Sequence, residues 1–179
     1  QDAVTPSLPE FSSVRVDIGI DARIPDSYIE DLAQRLSIYQ RLARINSDSE
    51  LDDLDEEIRD RFGPMPTHVK LLMKTARMRI LAGHAEIDLV AANETRSTLS
   101  LQQPTDGARG PLQKQLGAGV DVGHMQIRVE IDRDDLEWID ELMAVIEQIQ
   151  MFKEQMIQMM DMAQISAVDP LAVSSIPKG

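Results

Sequence analysis

Two periodicities alternate along the chain and predict an α+β domain. Apolar side chains recur at every second position, as in half-buried strands, in residues 14–24, 85–91, 95–101 and 124–131. They recur every three or four positions, as in amphipathic helices, in residues 26–45, 47–62, 66–82 and 134–162. A shorter helix is expected at residues 112–116. We therefore expect a small mixed or antiparallel sheet of about four strands, packed with three consecutive helices and a long C-terminal helix.

The first two helices each carry an apolar stripe that predicts a buried face. The stripe of the first helix consists of Ile29, Leu32, Leu36, Tyr39 and Ala43. The stripe of the second helix consists of Leu51, Leu54, Ile58 and Phe62. In the first helix, Asp26 or Ser27 can serve as the N-cap. In the second, Ser47 and Glu50 have the spacing of a capping box, and Gly63 ends the helix.

Composition divides the chain into three parts. Residues 1–12 contain two prolines and no periodic pattern, so we expect a linker there. Residues 13–162 hold all the periodic segments and are predicted to form the single α+β domain. Residues 163–179 have little pattern and are expected to be a mobile tail.

The charge balance excludes several classes of protein. The 179 residues include 31 acidic and 18 basic side chains, with a formal net charge of −13. Proteins that hold nucleic acid or an anionic membrane by bulk charge concentrate lysine and arginine instead, so we expect neither as a direct partner. The absence of cysteine excludes disulfides and thiolate nucleophiles. No apolar run approaches the ~20 residues of a spanning helix, and no signal peptide is evident, which favours a cytoplasmic domain.

No catalytic or cofactor-binding constellation stands out. The chain has neither the phosphate-binding pattern G-x-x-x-x-G-K-[ST] nor G-x-S-x-G. His68, His84 and His124 are isolated, without a second ligand at helical spacing. We therefore expect no catalytic residue, cofactor or metal in this chain. A hydrolase that uses carboxylates, with or without a divalent metal, is the most distant alternative.

The acidic side chains are concentrated in one segment. Residues 46–60 contain eight acidic residues and a single base, Arg59. Four of the acids repeat the three-and-four spacing of the buried stripe one residue earlier, so they line one flank of the second helix. This acidic flank consists of Glu50, Asp53, Glu57 and Asp60. It is either a solvated face or a docking edge for a partner with arginines, since bidentate arginine–carboxylate pairs fix geometry as well as charge.

The C-terminal helix is rich in methionine beyond its core stripe. The methionines on or near it are Met143, Met151, Met156, Met159, Met160 and Met162. Residues 151–162 are apolar on more than one side, and flexible thioethers suit an adaptable surface. Core packing or self-association is favoured over a site for a specific partner.

Residues 24–63 carry motifs of a known family. An R-L-x-x-Y-x-R-x-A pattern occupies residues 35–43, E-L occupies 50–51, and E-I-R-D-R-F-G occupies 57–63. The sequence LQKQ at 112–115 also fits, whereas residues 151–179 fall outside the match. With this spacing over two helices, the chain resembles the C-terminal domain of the bacterial transcription-repair coupling factor.

The resemblance implies a regulatory domain of a larger bacterial protein. The parent would be a cytoplasmic, ATP-dependent DNA translocase that dislodges stalled RNA polymerase and recruits excision-repair factors. In this family the C-terminal domain docks on a UvrB-homology module of the same chain. It thereby masks the surface that binds UvrA until the motor engages polymerase and DNA. ATP and magnesium would belong to the parent motor, so this fragment is expected to be non-enzymatic.

The resemblance also implies partner contacts for two residues of the acidic flank. Glu57 and Asp60 match positions that would meet arginines of the UvrB-homology module. Both lie on the flank that the spacing alone singles out, which favours the docking interpretation of that flank. The alternative function is a free-standing acidic adapter that binds a basic partner.

Overall fold

The structure, a computed structural model, describes residues 14–167. The expected linker at 1–12 lies outside the described residues, as do residues 168–179 of the expected tail. The strands are β1 (Arg15–Asp17), β2 (Ile87–Ala92), β3 (Arg96–Leu101), β4 (Val120–Val122) and β5 (Gln126–Glu130). The helices are α1 (Leu32–Arg44), α2 (Asp48–Phe62), α3 (Thr67–His84), α4 (Arg109–Leu116) and α5 (Glu137–Ala167).

The described strands form one mixed sheet in the order β1-β2-β3-β5-β4. β1 pairs with β2 in parallel, and the other pairs are antiparallel. The α+β class is confirmed, with five strands in the described part of the chain rather than about four. The additional strand is β4, whose three residues follow the glycines at 117 and 119 and are too few to show a period.

The first predicted strand is much shorter than its alternating pattern. Only Arg15–Asp17 pair with β2, although burial continues to alternate as far as Ile24. Gly19 interrupts the ladder because its φ of +62° is left-handed. Beyond it the chain packs on the start of α3, where the backbone N–H of Arg23 donates to the carbonyl of His68 at 3.2 Å. The alternating burial of residues 18–24 therefore arises from a loop that packs on the apolar core, and not from a strand.

The helix α3 contributes buried side chains to two apolar clusters. One packs the sheet against α4, α5 and one side of α3, with Met78 of α3 fully buried. The other packs α1 and α2 against the other side of α3, where Val69 is 1% exposed. Two faces of α3 are therefore buried, which explains why so many of its side chains are buried.

α1 begins later than its pattern predicts and buries a different face. Asp31 rather than Asp26 or Ser27 is the N-cap, and its carboxylate accepts from the backbone N–H of Gln34. Residues 26–28 form a turn instead of helix. The buried side chains of α1 are Ile38 and Leu42. The predicted stripe is wrong as a buried face for Leu32 and Leu36, which are 60% and 51% exposed.

The two strands of the β2–β3 hairpin and the two C-terminal helices lie where the apolar period predicts them, apart from their bounds. Asn93 turns the β2–β3 hairpin, because its side-chain oxygen accepts from the backbone N–H groups of Thr95 and Arg96. α4 begins three residues before the expected helix at 112–116. α5 continues past Met162 to Ala167, so residues 163–167 are helix in the structure.

The free edge of β4 is covered by side chains of α4. The amide of Gln113 donates to the carbonyl of Val120 at 2.8 Å and accepts from the N–H of Val122 at 2.9 Å. Arg109 donates from Nε to the carbonyl of Val122 at 2.7 Å. Gln113 thus makes the pair of hydrogen bonds that a neighbouring strand would make, which satisfies an edge that is otherwise open to pairing.

Candidate partner-binding site

The helix that carries the acidic flank is defined at both ends. Ser47 caps α2, and its hydroxyl accepts from the backbone N–H of Glu50 at 3.3 Å. Gly63 ends the helix with a φ of +83°, a conformation that side chains disfavour. Between these ends, Leu51, Leu54 and Ile58 are no more than 2% exposed. The buried stripe therefore fixes the rotation of α2, and with it the direction of every acidic side chain.

The four residues of the acidic flank lie on one uninterrupted helix but differ in their surroundings. Asp53 and Asp60 are exposed, and neither makes an ion pair within residues 14–167. Glu50 is also exposed, but its carboxylate accepts from the backbone N–H of Asn46 at 3.3 Å. Its role in the described structure is to cap the start of α2. The two unpaired carboxylates are thus Asp53 and Asp60.

Glu57 is held by two arginines of the same domain. One carboxylate oxygen lies 2.8 Å from Nη2 of Arg41, and the other lies 2.9 Å from Nη1 of Arg61. Hydrogen bonds from Arg41 and then Arg61 lower the pKa of Glu57, more than partial burial raises it. Arg41 stands on α1 and Arg61 one turn further along α2. Glu57 therefore links the two helices as well as contributing to the flank.

The opposite side of α2 is already neutralised by α3. Arg77 of α3 forms ion pairs with Asp48 and Asp52 of α2. Arg59, the single base of residues 46–60, pairs with Asp55 at 2.7 Å. Of the eight acids in that segment, those facing α3 thus have internal partners, whereas Asp53 and Asp60 face outward without one.

Sequence reasoning missed the groups that position the flank. Arg41 belongs to the R-L-x-x-Y-x-R-x-A pattern, and two other residues of that pattern also support the helices. Nη1 of Arg35 donates to the carbonyls of Ile29 and Glu30, and the hydroxyl of Tyr39 accepts from the N–H of Ile24. The i,i+4 spacing of Glu57 and Arg61 was a visible signal for one of the pairs.

The described residues contain no group of three or more His, Asp or Glu side chains that could hold a metal ion. His68 and His124 each lie near one aspartate, at 3.3 and 3.6 Å. Over the same residues, no helix is both long and apolar enough to cross a membrane.

A family model and curated proteins match this chain. The model of the TRCF domain matches residues 18–109, just over half of the chain. The chain is 26% identical to the transcription-repair-coupling factor of Bacillus subtilis over 158 residues, which is 83% of this chain and 13% of that protein. Against the factor of Haemophilus influenzae, identity is 41% over 78 residues, 42% of this chain and 7% of the relative. Against that of Escherichia coli it is 34% over 91 residues, 50% of this chain and 8% of the relative.

The fold also matches a solved structure. A crystal structure of the C-terminal domain of transcription-repair coupling factor superposes with a TM-score of 0.69 at 20% identity. The match covers 79% of this chain and 94% of the other. The chain spans 13% or less of the length of the curated relatives named above. By its match to the family model, the chain belongs to the TRCF domain family.

Proposed function

We propose that this chain is the autoinhibitory C-terminal domain of a transcription-repair coupling factor. It docks on the UvrB-homology module of the same protein and masks the surface that binds UvrA. It releases that module when the motor engages stalled RNA polymerase and DNA. The ATP and magnesium sites belong to the motor of the parent, and this domain contributes contacts rather than catalysis. The names of the curated relatives and of the solved structure support the proposal.

The observation that carries the proposal is the pair of outward carboxylates on a fixed helix. Asp53 and Asp60 are exposed and unpaired within residues 14–167, while the buried stripe of α2 fixes the backbone that carries them. A partner arginine can therefore reach them without first breaking an internal ion pair. The helix fixes the backbone positions of these carboxylates, and an aspartate has only two side-chain torsions to order on docking, which favours specific pairing with a planar guanidinium.

The strength of such ion pairs suits an inhibitory contact that must be reversible. Exposed ion pairs contribute ~0–1 kcal/mol each, so a few of them cannot hold two separate proteins together. Within one chain, the tether raises the effective concentration to about the millimolar range, and weak contacts then suffice. Because each contact is weak, competing contacts of the engaged motor can shift the equilibrium toward the released state.

The test is a charge reversal in the full-length parent protein. Asp60→Arg and Asp53→Arg each place a positive charge where the partner arginines would dock. Glu147→Arg is the matched control, since it makes the same change of charge at an exposed position on α5, and Glu147 has no ion pair within residues 14–167. The measured quantity is the affinity of UvrA for the parent.

We expect UvrA to bind the Asp60→Arg parent at least tenfold more tightly than the wild type, and the Glu147→Arg parent as the wild type does. Equal masking in all three proteins would refute the assignment of the flank. A rise in affinity for Glu147→Arg alone would contradict it too, because the docking face would then lie away from α2. Raising the ionic strength should relieve the masking of the wild type, since exposed pairs are screened over ~10 Å at 0.1 M salt.

A further inference from the structure

The outward face of α1 exposes an apolar surface that no described residue covers. Leu32 and Leu36 lie one turn apart, with 60% and 51% of their surface exposed. Both belong to the apolar stripe that the sequence predicts as the buried face of this helix. The helix packs instead through Ile38 and Leu42, which leaves Leu32 and Leu36 turned away from the core, while Tyr39 of the same stripe is half-buried against it. α1 is thus apolar on two sides but covered on only one.

The exposed stripe leads into a groove between α1, α3 and β1. The groove encloses about 250 Å³. Its walls are Val16, Tyr39, Leu42, Ala43, Leu72, Thr75, Ala76 and Arg79. Tyr39 and Ala43 continue the stripe of Leu32 and Leu36 along the same side of α1, because they follow at three-and-four spacing. The stripe from Leu32 to Ala43 is about 17 Å long at 1.5 Å per residue, which is three helical turns.

One charged group stands in this apolar groove. Arg79 donates from Nη2 to the carbonyls of Leu42 and Ile45, at 2.8 and 2.7 Å, and so completes the carboxyl end of α1. Within residues 14–167 it has no carboxylate partner, and burial lowers the pKa of its guanidinium. Arg77, two residues earlier, has two carboxylate partners. Nε and Nη1 of Arg79 make no hydrogen bond within residues 14–167, so either can donate a single, charge-assisted hydrogen bond to a carboxylate.

This surface is separate from the acidic flank. Arg41, which reaches Glu57 on α2, follows Tyr39 by two residues and therefore projects about 200° away from it around α1. The stripe and the flank consequently face different directions. Their chemistry also differs, because the stripe is apolar with a cationic end, whereas the flank is anionic.

We propose that the stripe and groove of α1 are a docking surface for an amphipathic helix of a partner protein, which carries an acidic residue in its first turn. Apolar ridges at three-and-four spacing accept the side chains of another helix between them. Arg79 lies at the carboxyl end of α1, so the acidic residue of an antiparallel partner helix reaches it from the first turn. That arrangement also sets the positive amino end of the partner against the negative carboxyl end of α1. The occupant is therefore an antiparallel helix of about three turns, with an apolar face and an amino-terminal carboxylate.

The test uses the full chain of 179 residues and a pair of synthetic helices. The probe is an acetylated 14-residue peptide with leucines at three-and-four spacing and glutamate in its first turn, and its twin has glutamine there. Binding is measured by fluorescence anisotropy for the wild type and for Leu36→Ser. Leu136→Ser is the matched control, since Leu136 is 44% exposed but lies just before α5. Circular dichroism verifies that each variant is folded.

We expect the glutamate peptide to bind the wild type and Leu136→Ser alike, and Leu36→Ser at least tenfold more weakly because a buried leucine contact is lost. The glutamine twin should bind the wild type about fivefold more weakly, and Arg79→Gln should abolish that preference. If Arg79→Gln fails to fold, the two peptides still report on the charge in the native chain. Absent binding, equal binding to Leu36→Ser, or no preference for glutamate would each overturn the proposal. A dimer of the wild type that Leu36→Ser dissociates in sedimentation would overturn it as well, because the occupant would then be a second copy.

Discussion

Replacing Glu57 by glutamine should destabilise the isolated domain, whereas replacing Asp60 by asparagine should not. Glu57 bridges α1 and α2 through Arg41 and contacts Arg61 within α2, while Asp60 has no ion pair within residues 14–167. Both substitutions remove one negative charge and keep the shape of the side chain. The comparison therefore separates a carboxylate that supports the fold from one that does not.

The magnitude follows from two ion pairs in partly exposed surroundings. The side chain of Glu57 is 34% exposed, and those of Arg41 and Arg61 are 45% and 53% exposed. Pairs of this kind contribute about 0.2–1 kcal/mol each. We expect the free energy of unfolding to fall by about 1 kcal/mol in Glu57→Gln, which lowers Tm by roughly 2–4 °C for a chain of this size. Asp60→Asn should stay within about 0.5 kcal/mol of the wild type.

The effect should depend on pH in a defined direction. The arginines lower the pKa of Glu57 in the folded state below its ordinary value of 4.5. The unfolded chain then binds the proton more readily, so the contribution is fully present above pH 4.5 and is lost as pH falls through the folded pKa. The difference between wild type and Glu57→Gln, measured by urea denaturation, should be largest at pH 7 and should shrink as the pH falls below 4.5. Because glutamine resembles the protonated acid, the two proteins converge in acid.

A double-mutant cycle with Arg41→Gln tests the same reasoning at the level of the contact. The two single substitutions should be less than additive by about 0.5 kcal/mol, because each removes the same ion pair. An equal loss of stability in Glu57→Gln and Asp60→Asn would refute the distinction. So would a difference that stays constant from pH 7 to pH 3, since the cause would then not be the charge of Glu57.

Three further predictions concern the fold. Gln113→Ala should lower the free energy of unfolding, measured by urea denaturation, by about 1–2 kcal/mol, because it removes both hydrogen bonds to the edge of β4. The uncovered edge should also increase self-association in gel filtration. Lys114→Ala on the same helix is the control and should change neither quantity. Ile58→Ala should lower the free energy of unfolding by about 2–5 kcal/mol, because Ile58 is buried. Leu36→Ala should change it by less than ~0.5 kcal/mol, because Leu36 is exposed. Equal losses would show that the outer face of α1 is covered in the isolated domain. Gly63→Ala should cost about 1 kcal/mol or more in thermal unfolding, because alanine disfavours a φ of +83°.

Sequence motifs predicted the elements whose ends are fixed by contacts between neighbouring residues. α2 begins at the expected capping serine and ends before the expected glycine, because caps and stops act within one helical turn. The hairpin around Asn93 likewise depends on a turn of neighbouring residues. β4 escaped prediction because its three residues are held by β5 on one side and by Gln113 on the other. Such distant partners leave no period in the segment itself.

Burial was harder to predict than helix formation. The apolar stripe of α1 is real, but which side of a helix meets the core depends on where neighbouring helices lie. The core covers Ile38 and Leu42, and Leu36 of the predicted stripe remains exposed. For the acidic flank, helical spacing was sufficient to group the four acids. It could not reveal that Glu57 meets Arg41, since that contact joins two helices.

The internal partners of Glu57 determine what each acid of the flank can contribute to docking. An arginine of another module that approaches Glu57 must share or replace Arg41 and Arg61, so it gains only the difference between the old and new contacts. Asp53 and Asp60 have no ion pair of this kind to give up within residues 14–167. In the docking that we propose, the net attraction of the flank therefore comes mainly from these two residues, while Glu57 keeps α2 in register with α1. It follows that Asp53→Asn combined with Asp60→Asn should weaken docking more than Glu57→Gln does, although Glu57→Gln weakens the fold more.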